Sequence, residues 1–194
     1  MRRVTFDALL TTAGLVLAVV LAAAGGLLTW GSTFVNTQVH DQLSAQRIFF
    51  PAAGSQALPA SEFPGLQQYG GKQLLTGDQA KAYADQYIAK HIAQLGGGKT
   101  YAELSAISRA NPNDAQAKAT VDTVFRGETL RGLLLNAYAF GTIGKIAGYA
   151  AIAAFTGAAV LLVLVALGFL HLRRTTDDVE LRLPAPAQRR PVAV

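Results

Sequence analysis

The sequence predicts an all-α membrane protein. Two transmembrane helices flank a small helical extracytoplasmic domain that includes a Pro/Gly-rich extended segment. Three observations carry that expectation. Two uncharged apolar runs, Ala8–Trp30 and Ile146–Leu170, stand towards the ends of the 194-residue chain. Lys and Arg are concentrated outside that pair of runs. Helical periodicity, punctuated by Pro and Gly, fills the region between them.

Residues 1–7 form the first tail and 8–30 the first span. The run from Ala8 is 23 residues, and the one from Ile146 is 25. At 1.5 Å per residue they reach roughly 34 and 37 Å, enough for a hydrocarbon core of about 30 Å. The tails, 1–7 and 173–194, hold 7 Lys and Arg (Arg2, Arg3, Arg173, Arg174, Arg182, Arg189, Arg190) in 29 residues, against 10 in the 115 residues of 31–145. The positive-inside rule therefore puts both termini in the cytoplasm of a plasma-membrane protein, with the lipid bilayer as its first partner. The first span has a rival reading as a cleaved signal peptide, from Arg2-Arg3, the apolar core and Ala22-Ala23-Ala24. The run, however, continues to Trp30, a residue favoured at the outer membrane boundary.

Residues 31–145 are the extracytoplasmic region. Val35, Val39 and Leu43 recur every four residues and extend the first helix as a stalk, which ends at Arg47–Pro51. Pro51, Gly54, Pro59, Pro64, Gly65, Gly70 and Gly71 then predict an extended surface segment anchored by Phe49, Phe50, Phe63 and Leu66. Asp78 is expected to cap a helix whose apolar face is Ala80, Tyr83, Ala84, Tyr87, Ile88 and Leu95, stopped by Gly96-Gly97-Gly98. Thr100-Tyr101-Ala102-Glu103 is a capping box that opens a short helix with Leu104 and Ile107. Asn111–Asp114 is a turn and cap for a last helix, which no Pro interrupts before the membrane.

That helix contains FRGETLRGLLLNAY (Phe125–Tyr138), in which Arg126, Glu128 and Arg131 precede a long apolar run. From Gly132 to Leu172 the helix would measure about 60 Å, twice the hydrocarbon thickness. Lys145 marks the boundary, because a Lys there can reach the headgroups. Leu130, Leu133, Leu134, Leu135, Tyr138 and Phe140 must then bury against the domain itself. The second span is 146–172, and the tail 173–194 is expected to be disordered. Small residues recur at every fourth position, at Gly14, Ala18, Ala22 and Gly26, then at Gly144 and Gly148, and at Ala150, Ala154 and Ala158. Such stripes suit a helix pair, a homo-oligomer seam or contact with a membrane-complex partner.

Several chemistries are set aside. The chain has no cysteine, which removes disulfides and thiolate sites. Most of the net charge of +5 comes from the tails and Lys145, since 31–144 holds 9 basic and 8 acidic residues and is nearly neutral, and no nucleic-acid partner is expected. Leu95–Thr100 looks like the end of a phosphate loop, but Ala93 stands where the first glycine belongs. His40, His91 and His171 have no second ligand on their own helical faces, so no metal or other cofactor is expected.

QLSAQRIFFP (Gln42–Pro51), AKAYADQYI (Ala80–Ile88), GKTYAELS (Gly98–Ser105) and FRGETLRGLLLNAY together resemble a family of actinobacterial two-span membrane proteins. Many members carry the name aromatic ring-opening dioxygenase, after the small subunit of a two-subunit enzyme. The resemblance implies a subunit whose Fe(II) is held by a partner, and it brings no site residues with it. The residues themselves point to a non-catalytic accessory, scaffold or interaction subunit. The alternatives are the dioxygenase subunit and an extracytoplasmic ligand-binding domain.

Overall fold

A computed structural model describes residues 3–174; Met1, Arg2 and the tail from residue 175 lie outside the described residues. Along the chain run α1 (Arg3–Gln46), a 3-10 helix (Pro64–Tyr69), α2 (Gly77–Ala82), a π-helical turn (Tyr83–Ile88), α3 (Ala89–Leu95), α4 (Tyr101–Ala110) and α5 (Ala115–Leu172). The all-helical class is as expected. An antiparallel bridge between Phe49 and Gln73 is isolated and belongs to no strand. With 44 and 58 residues, α1 and α5 extend about 66 and 87 Å. Both are long and apolar enough to cross a membrane. The chain divides into two compact units, one formed by the described residues up to Leu27 and from Ala150, the other by Leu28–Tyr149.

The first unit is an antiparallel helix pair. Gly168 faces Thr11, Val165 faces Gly14, Gly157 faces Leu21, and Phe155 faces Gly25. The contact is close, because a methyl added at Gly168 would meet the Thr11 hydroxyl at 2.6 Å. In α1 the seam runs through Thr11, Gly14, Ala18, Leu21 and Gly25, and in α5 through Ala151, Ala154, Ala158, Leu161, Val165 and Gly168. These steps alternate three and four, the spacing of a left-handed helix pair. A strict four-residue stripe instead turns about 40° at each step on a 3.6-residue helix. That drift explains why Gly14 and Ala18 lie on the seam while Ala22 and Gly26 turn outwards. On α5, Ala154 and Ala158 fit the seam, Ala150 sits half-buried beside it, and Ala151 takes the central place.

In the second unit the segment after α1 departs from the expectation of an extended surface strip. Arg47 adopts φ 52°, a left-handed turn that ends α1, and its N–H donates to the Ser44 carbonyl at 3.2 Å. Gln73 donates to the same carbonyl at 2.8 Å, so a residue from the far end of the segment caps the helix. The segment is then wound inwards by Gln67. Its amide accepts from Gly54 N–H at 2.9 Å and donates to the Leu58 and Phe63 carbonyls at 3.1 and 3.0 Å. Gly70 is required here, since a Cβ would lie 2.6 Å from the Ala53 nitrogen.

Winding the segment buries Phe50, Leu58, Phe63, Leu66 and Leu74 in one core with Val39, Leu43, Ala80, Ala84, Ile88 and Leu134. Phe49, expected as an anchor, is exposed, because it alternates with Phe50 at the bridge. The cap of α2 is Thr76 rather than Asp78. Thr76 and Gln79 form a capping box, and Asp78 sits in the first turn. The π turn bonds i to i+5, so residues four apart fall closer to one line than on an ordinary helix. Ala80, Ala84 and Ile88 all reach the core as a result, while Leu95 is exposed and Ile92 packs in its place.

The other boundaries are local and fall as the sequence indicated. Gly97 and Gly98 have φ 60° and 77° and end α3. Thr100 and Glu103 close their capping box on α4. Asp114 accepts from Ala117 N–H at 2.9 Å and starts α5. On α5, Leu134 is 1% exposed and Leu135 packs on the core, whereas Leu133 and Phe140 are 60% and 58% exposed. Leu134→Ala should therefore destabilise residues 28–149 by about 2–5 kcal/mol, the usual range for a fully buried leucine. Leu133→Ala should change stability by less than about 0.5 kcal/mol. Limited proteolysis at rising denaturant, with membrane insertion checked separately, measures both.

Candidate functional site

The charged motif resolves into a docking face. Gly127, Arg131, Leu134, Tyr138, Gly141 and Lys145 alternate steps of three and four along α5, and they meet the helix formed by α2, the π turn and α3. A Cβ at Gly127 would sit 2.8 Å from the Ile92 side chain, so only glycine lets α5 approach there without a shift. Arg131 Nη2 donates to Asp85 Oδ1 at 3.3 Å, and its Nη1 lies 3.5 Å from Glu128 Oε2. Lys81 pairs with the other Asp85 oxygen at 2.7 Å and lies over the Tyr138 ring at 5.1 Å. At the far end Gly77 packs on the backbone of Ala137 and Tyr138, and Lys145 pairs with Asp78.

Of the three motif charges, Glu128 and Arg131 belong to this junction. Arg126 pairs instead with Asp122 at 2.8 Å on the exposed side of its own helix. Asp85 is the shared acceptor. Lys81 above all holds its carboxyl below the ordinary range; burial opposes it, and Arg131 adds to the lowering. Lys90 holds Glu62 low in the same way, and its ammonium stacks on the Phe63 ring at 4.6 Å. Gly144 and Gly148, read as packing positions, receive polar neighbours from α1. Ser32 Oγ donates to the Gly144 carbonyl at 2.7 Å, and a Cβ at Gly148 would lie 3.1 Å from that oxygen.

The histidines are apart from one another in role. His40 contacts Asp41 at 3.2 Å. His91 bonds the Tyr87 carbonyl at 2.8 Å and stacks on Phe63. His171 lies 3.8 Å from Asp7. Among the described residues no group of three His, Asp or Glu side chains converges. Tyr69, Phe50, Tyr83, Tyr87 and Phe63 form a run of ring contacts, and burial pushes the Tyr83 phenol up.

A cleft within residues 28–149 is lined by α1 and α5. Its volume is about 450 Å³, within the range of small-molecule sites. Val35, Val39 and Leu43 line it from α1 with Phe34, Gln38, Gln42 and Gln46; Leu133, Asn136, Ala137 and Phe140 line it from α5. No charged residue is among them. Sequence reasoning placed Val35, Val39 and Leu43 on one face but missed the cleft. The signal available was the glutamine row at Gln38, Gln42 and Gln46.

Because Asp85 is held low in the folded state, its contribution is present above the unfolded carboxylate pKa and is lost as pH falls through the folded one. Glu62 and Glu103 are held low too, and act in the same direction. Residues 28–149 should lose stability on acidification below the ordinary carboxylate range, and Asp85→Asn should make that loss smaller. Chemical denaturation at a series of pH values checks this; an unchanged acid profile in the variant would remove Asp85 from the junction. Comparison of the chain with known protein families, curated proteins and solved structures finds no match, so function has to be argued from these residues.

Proposed function

We propose that this is a two-span plasma-membrane protein that displays residues 31–145 outside the cytoplasm as a non-catalytic helical domain. It serves as an accessory or interaction subunit of an envelope complex. The observation that carries this reading is the division of labour in the domain's side chains. Charged groups such as Asp85, Lys81, Arg131, Asp78 and Lys145 pair with one another to hold the helices together. What the surface offers instead is apolar: the cleft, with Phe34, Leu133 and Phe140 exposed at its walls. A surface of that kind suits binding. The orientation rests on the distribution of Lys and Arg across the two spans.

Because the natural chain has no cysteine, single cysteines report topology without background. An impermeant thiol reagent added to intact cells should label Gln68→Cys and Ser108→Cys and leave Thr176→Cys unlabelled. Labelling of Thr176→Cys alone would invert the orientation. Gentle detergent extraction should recover a stoichiometric membrane partner. Recovery of an iron-containing partner with ring-opening activity would favour the dioxygenase subunit instead.

A further inference from the structure

The cleft has a direction. Its α1 wall includes Phe34, Gln38, Gln42 and Gln46. Trp30 and Phe34 stack with ring centroids 5.7 Å apart, and both are exposed. The α5 wall runs through Phe140, Ala137, Asn136 and Leu133, and exposed apolar residues continue along that helix at Ile143, Ile146 and Tyr149. At the end nearer the spans in sequence the lining is Phe34 and Val35 on α1 and Phe140 on α5. Further along, α1 brings the amides of Gln38, Gln42 and Gln46, and α5 brings that of Asn136 between Phe140 and Leu133. Val35, Val39 and Leu43 make the floor.

We propose that this cleft holds an uncharged lipid. Its acyl chain lies along Phe34, Phe140 and the valine floor, and its ester and hydroxyl oxygens reach Gln38, Gln42 and Asn136. The polarity gradient matches a molecule with an apolar end and a neutral polar end. A phosphate would find no cation in the lining, and desolvating its charge there would be unfavourable. The bilayer is the source, since exposed apolar residues continue along both helices towards the spans, at Trp30 on α1 and at Ile143, Ile146 and Tyr149 on α5; the assignment thus rests on the membrane reading above.

The test uses the full chain in phosphatidylcholine vesicles doped with a diacylglycerol carrying a diazirine on the acyl carbons next to the ester. After photolysis, adducts should map to residues 35–46 and 133–137 as well as to 8–30 and 146–172. Leu133 is 13 residues before Ile146, roughly 20 Å along the helix, so adducts there do not come from chains in the bilayer core. Gln38→Glu with Gln42→Glu, both at exposed positions, should lower the cleft adducts by about tenfold while span adducts and thermal melting stay unchanged. A phosphatidylglycerol probe with the same acyl diazirine should label the cleft less than the diacylglycerol does.

Adducts confined to 8–30 and 146–172 would overturn the lipid site and leave the membrane reading intact. Absence of adducts on those spans would overturn the membrane reading itself. Cleft adducts that ignore the two glutamates would also overturn the proposal. So would a Gln42→Cys variant that forms an interchain disulfide with no cleft adducts, which would assign the groove to a second copy of the chain.

Discussion

Two surfaces meet where α5 runs alongside α2, the π turn and α3, and the rest of residues 28–149 depends on how closely they do so. Gly127 admits Ile92, Leu134 enters the core, and the Gly77 and Gly141 backbones lie against each other. Between these apolar contacts Arg131 and Lys81 share Asp85. The ion pairs are about one-third to one-half exposed, and pairs of that kind contribute little energy by themselves. Their value is in register. A slip of one residue along α5 would carry Arg131 from its carboxylate and push a side chain into the place of Gly127.

The same contact explains why so apolar a helix can extend far beyond a bilayer thickness. Its surplus apolar face between Gly127 and Gly141 is covered by the short helices and the wound segment. The face turned away from them, at Leu133 and Phe140, has no cover among the described residues and becomes a wall of the cleft. The docking face and the cleft wall are thus two sides of one helix, set apart by rotation. The aromatic contacts from Tyr69 to Phe63 add a second layer behind the junction.

Features written in a few adjacent residues were legible in the sequence. The box at Thr100 and Glu103, the glycines after Leu95 and the turn before Ala115 each involve groups within four positions. So was the length of the apolar helices. What escaped had partners distant in the chain. Leu58, and Leu74 beside Leu75, lie among turn residues with no periodicity to mark them. Gln67 looks like any surface glutamine until Gly54 and Leu58 come near. Thr76 lost to Asp78 because both are capping residues, and only Gln79, three residues past Thr76, distinguishes them. The π turn has no local signature. The small-residue stripe was visible, but a four-residue step parts from a seam of 3.5, so Ala22 and Gly26 fell outside it. Arg131 could be singled out by charge, whereas Gly127 acquires meaning only once Ile92 faces it.

Native-state hydrogen exchange on the full chain in lipid nanodiscs tests the central claim most directly. If the α5 face and the helix from α2 to α3 form one unit, amides at Ala84–Ile88 and at Arg131–Leu135 should open with a common free energy. The amides of α4, which buries none of its residues, should exchange sooner. Exchange at Ala84–Ile88 as fast as in α4, with Arg131–Leu135 still protected, would contradict the account. In that event α5 would be a free-standing helix, and the junction would not hold the domain.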